Sequence, residues 1–92
     1  MKIQDWFGND TEVTMTKGKY YNGNLCVQLW CDDGPYATLT VNFDKKLPED
    51  KAYIDTNNVA YAEEFIDKYG LGEHQGKFMM SGFCCYPLYK FY

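Results

Sequence analysis

Apolar and polar residues alternate most clearly over residues 24–43, where two runs flank a turn. The runs read NLCVQLWC and YATLTVNF, and between them stand Asp32, Asp33, Gly34 and Pro35. Alternation with a period of two is typical of half-buried strands, and Asp, Gly and Pro are typical of tight reversals. This stretch therefore predicts a β-hairpin, around which we expect the rest of the chain to fold.

The register of this hairpin follows from its apolar residues, because residues directly opposite each other point to the same face. Pairing Cys31 with Tyr36 would set apolar residues against threonines, whereas pairing Trp30 with Tyr36 gives one apolar face. This pairing requires a loop with an odd number of residues, or a bulge. The predicted core face carries Leu25, Val27, Leu29, Ala37, Leu39, Val41 and Phe43. The other face is either solvated or a docking surface, and it carries Cys26, Gln28, Trp30, Tyr36, Thr38, Thr40 and Asn42.

A helical pattern covers residues 59–69. Its apolar stripe consists of Val59, Ala62, Phe65, Ile66 and Tyr69. This spacing predicts an amphipathic helix that packs on the core face of the hairpin, with Glu63, Glu64 and Asp67 facing outward. Asn57 and Asn58 precede the helix and offer side chains that could cap its first turn.

The remaining pattern completes an α+β fold in one domain, residues 1–92: a mostly antiparallel sheet of about five strands with one helix packed on one face. Further strands are expected at residues 2–7, 11–16, 52–55, 78–80 and 83–92. Residues 73–77 read as a polar loop, and Trp6 and Phe7 are expected at the edge of the core. Pro87 cannot donate to a ladder, so we place it at a sheet edge or a bulge.

The charge of the chain narrows the choice of partners. Nine lysines, no arginine and thirteen acidic residues give a net charge of −4. Direct binding to nucleic acid usually requires a basic patch, and an acidic chain is disfavoured at anionic membranes, so we expect neither. No apolar segment has the length of a signal peptide or a membrane span, so we expect a cytoplasmic protein with reduced cysteines.

Candidate chemistry is sparse. The four cysteines show no metal-binding spacing and there is one histidine, so we expect no metal and no cofactor. Cys84 or Cys85 could act as a nucleophile with His74 as base, but buried structural thiols are the stronger interpretation. A disulfide of the Cys26–Cys84 or Cys31–Cys85 kind stays open. We therefore expect a protein that is not an enzyme.

Acidic and aromatic residues mark the candidate partner-binding surface. We assign to it Trp30, Asp32, Asp33, Tyr36, Glu63, Glu64 and Asp67. Carboxylates on a rigid scaffold can imitate the phosphates of a nucleic acid and occupy a basic groove of another protein. The alternative is an ordinary solvated surface, and the lysines interspersed among these acids favour it.

Five blocks follow one another from Tyr20 onward: YYNGNLCVQLW, GPYATLTVNF, LPEDKAYIDTNN, AEEFIDKYGLGE and SGFCCYPLYKF. In these blocks the chain resembles a domain-of-unknown-function family of small proteins from phages and conjugative elements of gut bacteria. The resemblance implies a mobile-element accessory protein, and it brings no catalytic or ligand residues with it. Such proteins often bind and inhibit a host defence effector, as anti-CRISPR proteins do.

We therefore expect a protein partner, which could be a nucleic-acid-binding effector. Two alternatives stay open. One is a structural or self-associating module that forms a homodimer through the Trp30 and Tyr36 face. The other is a small thiol-dependent enzyme.

Overall fold

Strands dominate the computed structural model, which describes residues 1–4 and 7–92. Strands hold 53% of the structure in three sheets, whereas the one helix among the described residues holds 8%. The predicted α+β class, one sheet of about five strands with a helix on one face, is therefore wrong, and the molecule is a small β-rich fold. The strands are β1 (Lys2–Gln4), β2 (Asp10–Glu12), β3 (Thr14–Lys19), β4 (Leu25–Cys31), β5 (Gly34–Thr38), β6 (Thr40–Val41), β7 (Lys51–Ile54), β8 (Gly72–Ser81) and β9 (Cys84–Phe91), and the helix is α1 (Ala62–Lys68).

The sheets are antiparallel, and one chain segment links the two larger ones. β1 pairs with β2, the second sheet has the order β3-β4-β5, and the third has the order β6-β7-β9-β8. Only Leu39 separates β5 from β6. Its N–H donates to the Val27 carbonyl at 2.9 Å, and its carbonyl accepts from the Asp55 N–H at 2.8 Å. The segment passes from one sheet to the next at Leu39, so β3 and β8 lie at the two outer edges.

The central hairpin confirms the predicted bulge. Leu29 lies opposite Ala37, as the apolar pattern requires. The register then shifts, and Trp30 lies opposite Pro35, so Tyr36 is the extra residue of a β-bulge. The predicted pairing of Trp30 with Tyr36 is therefore wrong.

The core is divided between two clusters. The larger cluster contains the buried residues Ile3, Val13, Leu25, Val27, Leu29, Leu39, Ala52, Ile54, Val59, Ala62, Phe65, Ile66, Tyr89 and Phe91. The alternation predicts Val41 and Phe43 in this cluster, but they pack instead with Tyr53, Tyr86 and Leu88 in the second cluster. The reason is the change of sheet, because Leu39 and Thr40 are both buried and the alternation of the strand is lost between them.

The helix is shorter than its pattern predicts. It covers Ala62–Lys68 rather than residues 59–69, yet the burial of Val59, Phe65 and Ile66 confirms the apolar stripe. The predicted asparagine cap is wrong, since no side chain caps α1. The Asp55 carboxylate instead accepts the Asn58 N–H at 3.2 Å and fixes the turn that precedes the helix.

The last hairpin joins β8 and β9. The polar loop expected at residues 73–77 is wrong, because these residues belong to β8. His74 lies opposite Tyr89 and Phe78 opposite Pro87, so β8 carries a bulge between its two halves. Pro87 lies beside this bulge in the inner strand β9. Of the two predicted places for Pro87, the bulge is therefore confirmed and the sheet edge is wrong. An edge strand with exposed polar side chains resembles a loop in sequence, because it has little apolar surface to bury.

The expectation for Phe7 is also wrong, since this residue is 89% exposed rather than packed at the core edge. Trp6 lies outside the described residues. In the described part of the chain, no helix has the length and apolar character needed to cross a membrane.

Candidate functional site

The acidic turn of the central hairpin contains two residues. Asp32 and Asp33 connect β4 to β5, and Cys31 lies opposite Gly34 across the turn. Gly34 has a φ of 121°, which favours a residue without a Cβ. Both aspartates are exposed. The turn therefore presents two adjacent carboxylates to solvent from a short, constrained connection.

Trp30 and Tyr36 do not share a surface. Trp30 is half-buried on the outer face, and its indole N–H donates to the Thr16 hydroxyl at 2.7 Å. Tyr36 packs against the larger core cluster. Burial raises the pKa of Tyr61 on the approach to α1, and the nearby Tyr36 raises it further. The bulge thus turns Tyr36 towards the core, and the proposed pair of aromatic contact residues is not brought together.

Two carboxylates of α1 flank a tyrosine hydroxyl of β9. The Tyr89 hydroxyl donates to Glu63 Oε1 at 3.2 Å, and Asp67 lies one helical turn beyond Glu63. Burial raises the pKa of Tyr89, and the Glu63 and Asp67 carboxylates raise it further. The hydroxyl therefore stays protonated at neutral pH and ties the helix to the third sheet.

Glu64 belongs to a different surface. It lines a groove of about 270 Å³ between β1 and α1, together with Lys2 and Lys68. Ile3 and Phe65 supply apolar walls to the same groove. The structure thus separates Glu64 from the two other helix carboxylates and places it among lysines.

The predicted acids form no ion pairs with described residues. This holds for all five of them, Asp32, Asp33, Glu63, Glu64 and Asp67. The ion pairs of the described residues involve Glu12, Glu49 and Asp50 instead. Unpaired surface carboxylates contribute fully to the field that a charged partner meets. The turn and the outer side of α1 are therefore the parts of the described surface where the predicted acidic contact could form.

The structure separates the residues of the alternative catalytic pair. His74 lies opposite Tyr89, whereas Cys85 lies opposite Met80 at the other end of the hairpin. Four residues of β9 separate these positions, which corresponds to about 13 Å along the strand. His74 Nδ1 accepts the Gly76 N–H at 2.8 Å and is not directed at a thiol. The two side chains cannot act as nucleophile and base in this conformation.

All four cysteines are free, and none is fully buried. The open disulfide alternatives are therefore not formed, and the expectation of buried thiols is wrong. No group of three or more metal-ligating side chains lies together within residues 1–4 and 7–92.

An apolar surface at the far end of the β8–β9 hairpin is missing from the sequence-based predictions. Phe78, Met80 and Phe83 are 55%, 66% and 108% exposed, and Cys85 beside Met80 is exposed as well. We call these four residues the hairpin patch. Its signal in the sequence is the uncharged run at residues 78–86 in the last hairpin, but sequence alone does not show that β8 is an edge strand.

A family model described as "Domain of unknown function (DUF4313)" matches residues 14–92. The chain belongs to the DUF4313 family. The match begins with β3, so the DUF4313 domain contains the two larger sheets, α1, the acidic turn and the hairpin patch. It confirms the resemblance to a family of unknown function. No curated protein and no solved structure matches the chain.

Proposed function

We propose that this DUF4313 protein is a binding protein without enzymatic activity that inhibits a host defence effector, as anti-CRISPR proteins do. The proposal includes its setting, a phage or conjugative element of a gut bacterium. The observation that carries it is the set of carboxylates on the turn and on α1 that form no ion pair with a described residue.

The physical argument is electrostatic. An effector that binds nucleic acid presents lysine and arginine in a groove shaped for phosphates. The net charge of −4 attracts such a groove at long range, and unpaired carboxylates can then take the positions of phosphates. Binding of this kind blocks the groove without any chemical step.

Rigidity supports the same proposal. Asp32 and Asp33 are held by a two-residue turn, and Asp67 stands on a helix that Tyr89 ties to the sheet through Glu63. Charges that are already fixed in the free protein lose little conformational entropy on binding. A contact formed by these residues therefore orders only their side chains and not the backbone that carries them.

The test compares two variants of equal net charge. The first carries Asp32→Asn, Asp33→Asn and Asp67→Asn, which leave the Glu63 hydrogen bond intact and change the net charge from −4 to −1. The control carries Asp10→Asn, Asp44→Asn and Glu49→Gln, all at exposed positions, and has the same net charge. Each tagged protein is used to capture its partner from host cells, and binding to the purified partner is then measured at low and high salt together with the activity of that partner.

We expect the wild type and the control variant to bind a basic partner and to inhibit it, with affinity that falls as salt rises. The first variant should lose both binding and inhibition. Equal binding by the two variants, or an affinity that does not depend on salt, would contradict the acidic contact. A bound partner that keeps its full activity would contradict the inhibitory role.

A further inference from the structure

The outer strand of the third sheet, β8, is protected against pairing with another chain over only half of its length. β8 pairs with β9 alone among the described strands. Its first half carries the charged residues Glu73 and Lys77 and the bulge that follows His74. Charged side chains and bulges are the usual means by which an edge strand avoids pairing with another chain. The second half, residues 78–81, is regular in register and uncharged.

The unprotected half also presents apolar side chains on one face. Phe78 and Met80 are two residues apart, so both point to the same side of the strand. They are 55% and 66% exposed, although most other large apolar residues of the strands are buried. The His74 ring lies 5.1 Å from the Phe78 ring and supports it from the protected half. This side of the hairpin is therefore an ordered apolar surface beside an open row of backbone donors and acceptors.

We propose that two copies of this chain associate by antiparallel pairing of residues 78–81 of β8 about a two-fold axis at Met79. This axis places Phe78 of one copy opposite Met80 of the other, and the reverse contact forms by symmetry. Lys77 of each copy then lies opposite Ser81 of the other, so no like charges face each other. The strand is thus self-complementary in this register, and the third sheet continues from one copy into the next.

The size of the hairpin patch determines how strong this association can be. With roughly 200 Å² for each large side chain, Phe78, Met80 and Phe83 expose roughly 450 Å² per copy. Two copies would therefore bury at most about 900 Å² of this patch, which is less than the ~1,200 Å² of a stable complex. We therefore expect a reversible dimer with a dissociation constant on the order of 100 µM.

Salt distinguishes this dimer from the acidic contact of the proposed function. Two copies each carry a net charge of −4 and repel one another. Screening reduces this repulsion, so salt should strengthen the dimer, whereas salt should weaken binding to a basic partner. The two proposals can therefore fail independently of each other.

The first experiment is sedimentation equilibrium on the full chain from about 10 µM to about 1 mM. The wild type should change from monomer to dimer over this range, and Met80→Lys should weaken the dimer about tenfold or more. The matched control is Tyr21→Lys, which introduces the same charge at a residue that is 90% exposed elsewhere. A wild type that stays monomeric, or a control that weakens the dimer equally, would overturn the proposal.

The second experiment tests the register with two complementary variants. Phe78→Glu and Met80→Lys should each be monomeric alone, because each places two like charges near the two-fold axis. Mixed in equal amounts, they should associate, since the two substituted positions lie opposite each other across the proposed axis. Circular dichroism of each variant checks the fold. If the mixture stays monomeric while both variants are folded, the register about Met79 is wrong.

Discussion

The outer strands of the two larger sheets, β3 and β8, protect their open edges differently. β3 carries Lys17 and Lys19, and both are exposed. The Lys17 amine donates to the Tyr92 main-chain oxygen, and the Lys19 amine lies 4.0 Å from Glu49. The second half of β8 carries exposed phenylalanine and methionine instead. Since lysines discourage edge-to-edge pairing, the difference indicates which edge is open to another chain.

The same comparison separates two kinds of surface. The unpaired carboxylates lie on the acidic turn and on α1, whereas the hairpin patch contains no charged residue. An acidic surface acts at long range and is screened by salt, but an apolar strand edge acts only on contact. Binding at the two surfaces should therefore respond to salt in different ways.

The largest effect, on self-association, is expected from removing the lysines that protect the edge of β3. Lys17→Met together with Lys19→Met leaves both β3 and the second half of β8 open to pairing with another copy. Two such edges that do not close a ring produce open-ended assemblies of many copies. The variant should form species larger than dimers at about 100 µM, measured by sedimentation velocity. The control Lys45→Met with Lys46→Met removes the same charge from a loop. A variant that stays dimeric would show that lysines do not protect β3.

A smaller effect, on stability, is expected at Tyr20, which follows β3 and forms a hydrogen bond with Thr40 of β6. The two hydroxyl oxygens are 2.9 Å apart, and Thr40 is buried. Tyr20→Phe removes this hydrogen bond and should lower the free energy of unfolding by about 1 kcal/mol near neutral pH. Urea unfolding measures the loss, and Tyr21→Phe, at an exposed position, should cost almost nothing.

The pH dependence of this hydrogen bond has a definite sign. Burial raises the pKa of Tyr20 from 10.0 to about 12. A raised pKa favours the protonated hydroxyl in the folded state, so its contribution to stability is complete below pH 10 and is lost as the pH rises towards 12. The stability of the wild type should fall more steeply than that of Tyr20→Phe in this window. Parallel curves would contradict the role of Tyr20.

The sequence was sufficient where alternation decided the structure. Leu29 opposite Ala37, the bulge in the central hairpin and the buried stripe of the helix all follow from which residues must avoid water. The placement of Asp32 and Asp33 at an exposed turn follows from the same pattern. These features are local, so the periodicity of one segment is enough to predict them.

The sequence was insufficient where a segment changes its partners. Nothing in the run through Leu39 shows that the strand leaves one sheet for another, so Val41 and Phe43 were assigned to the wrong cluster and the fold to the wrong class. Tyr36 does not lie on the predicted contact surface, because it is the extra residue of the bulge. The hairpin patch was missed because strand order, and not composition, determines that β8 lies at an edge.

Hydrogen exchange as a function of concentration tests the unprotected edge most directly. The amide protons of β8 and β3 are followed by NMR from about 20 µM to about 1 mM wild-type protein. Pairing about Met79 predicts that protection rises with concentration at outward-facing amides within residues 77–81 and stays constant in β3. Protection that does not change in β8, or that rises equally in β3, would contradict the claim that the second half of β8 is where two copies of the chain meet.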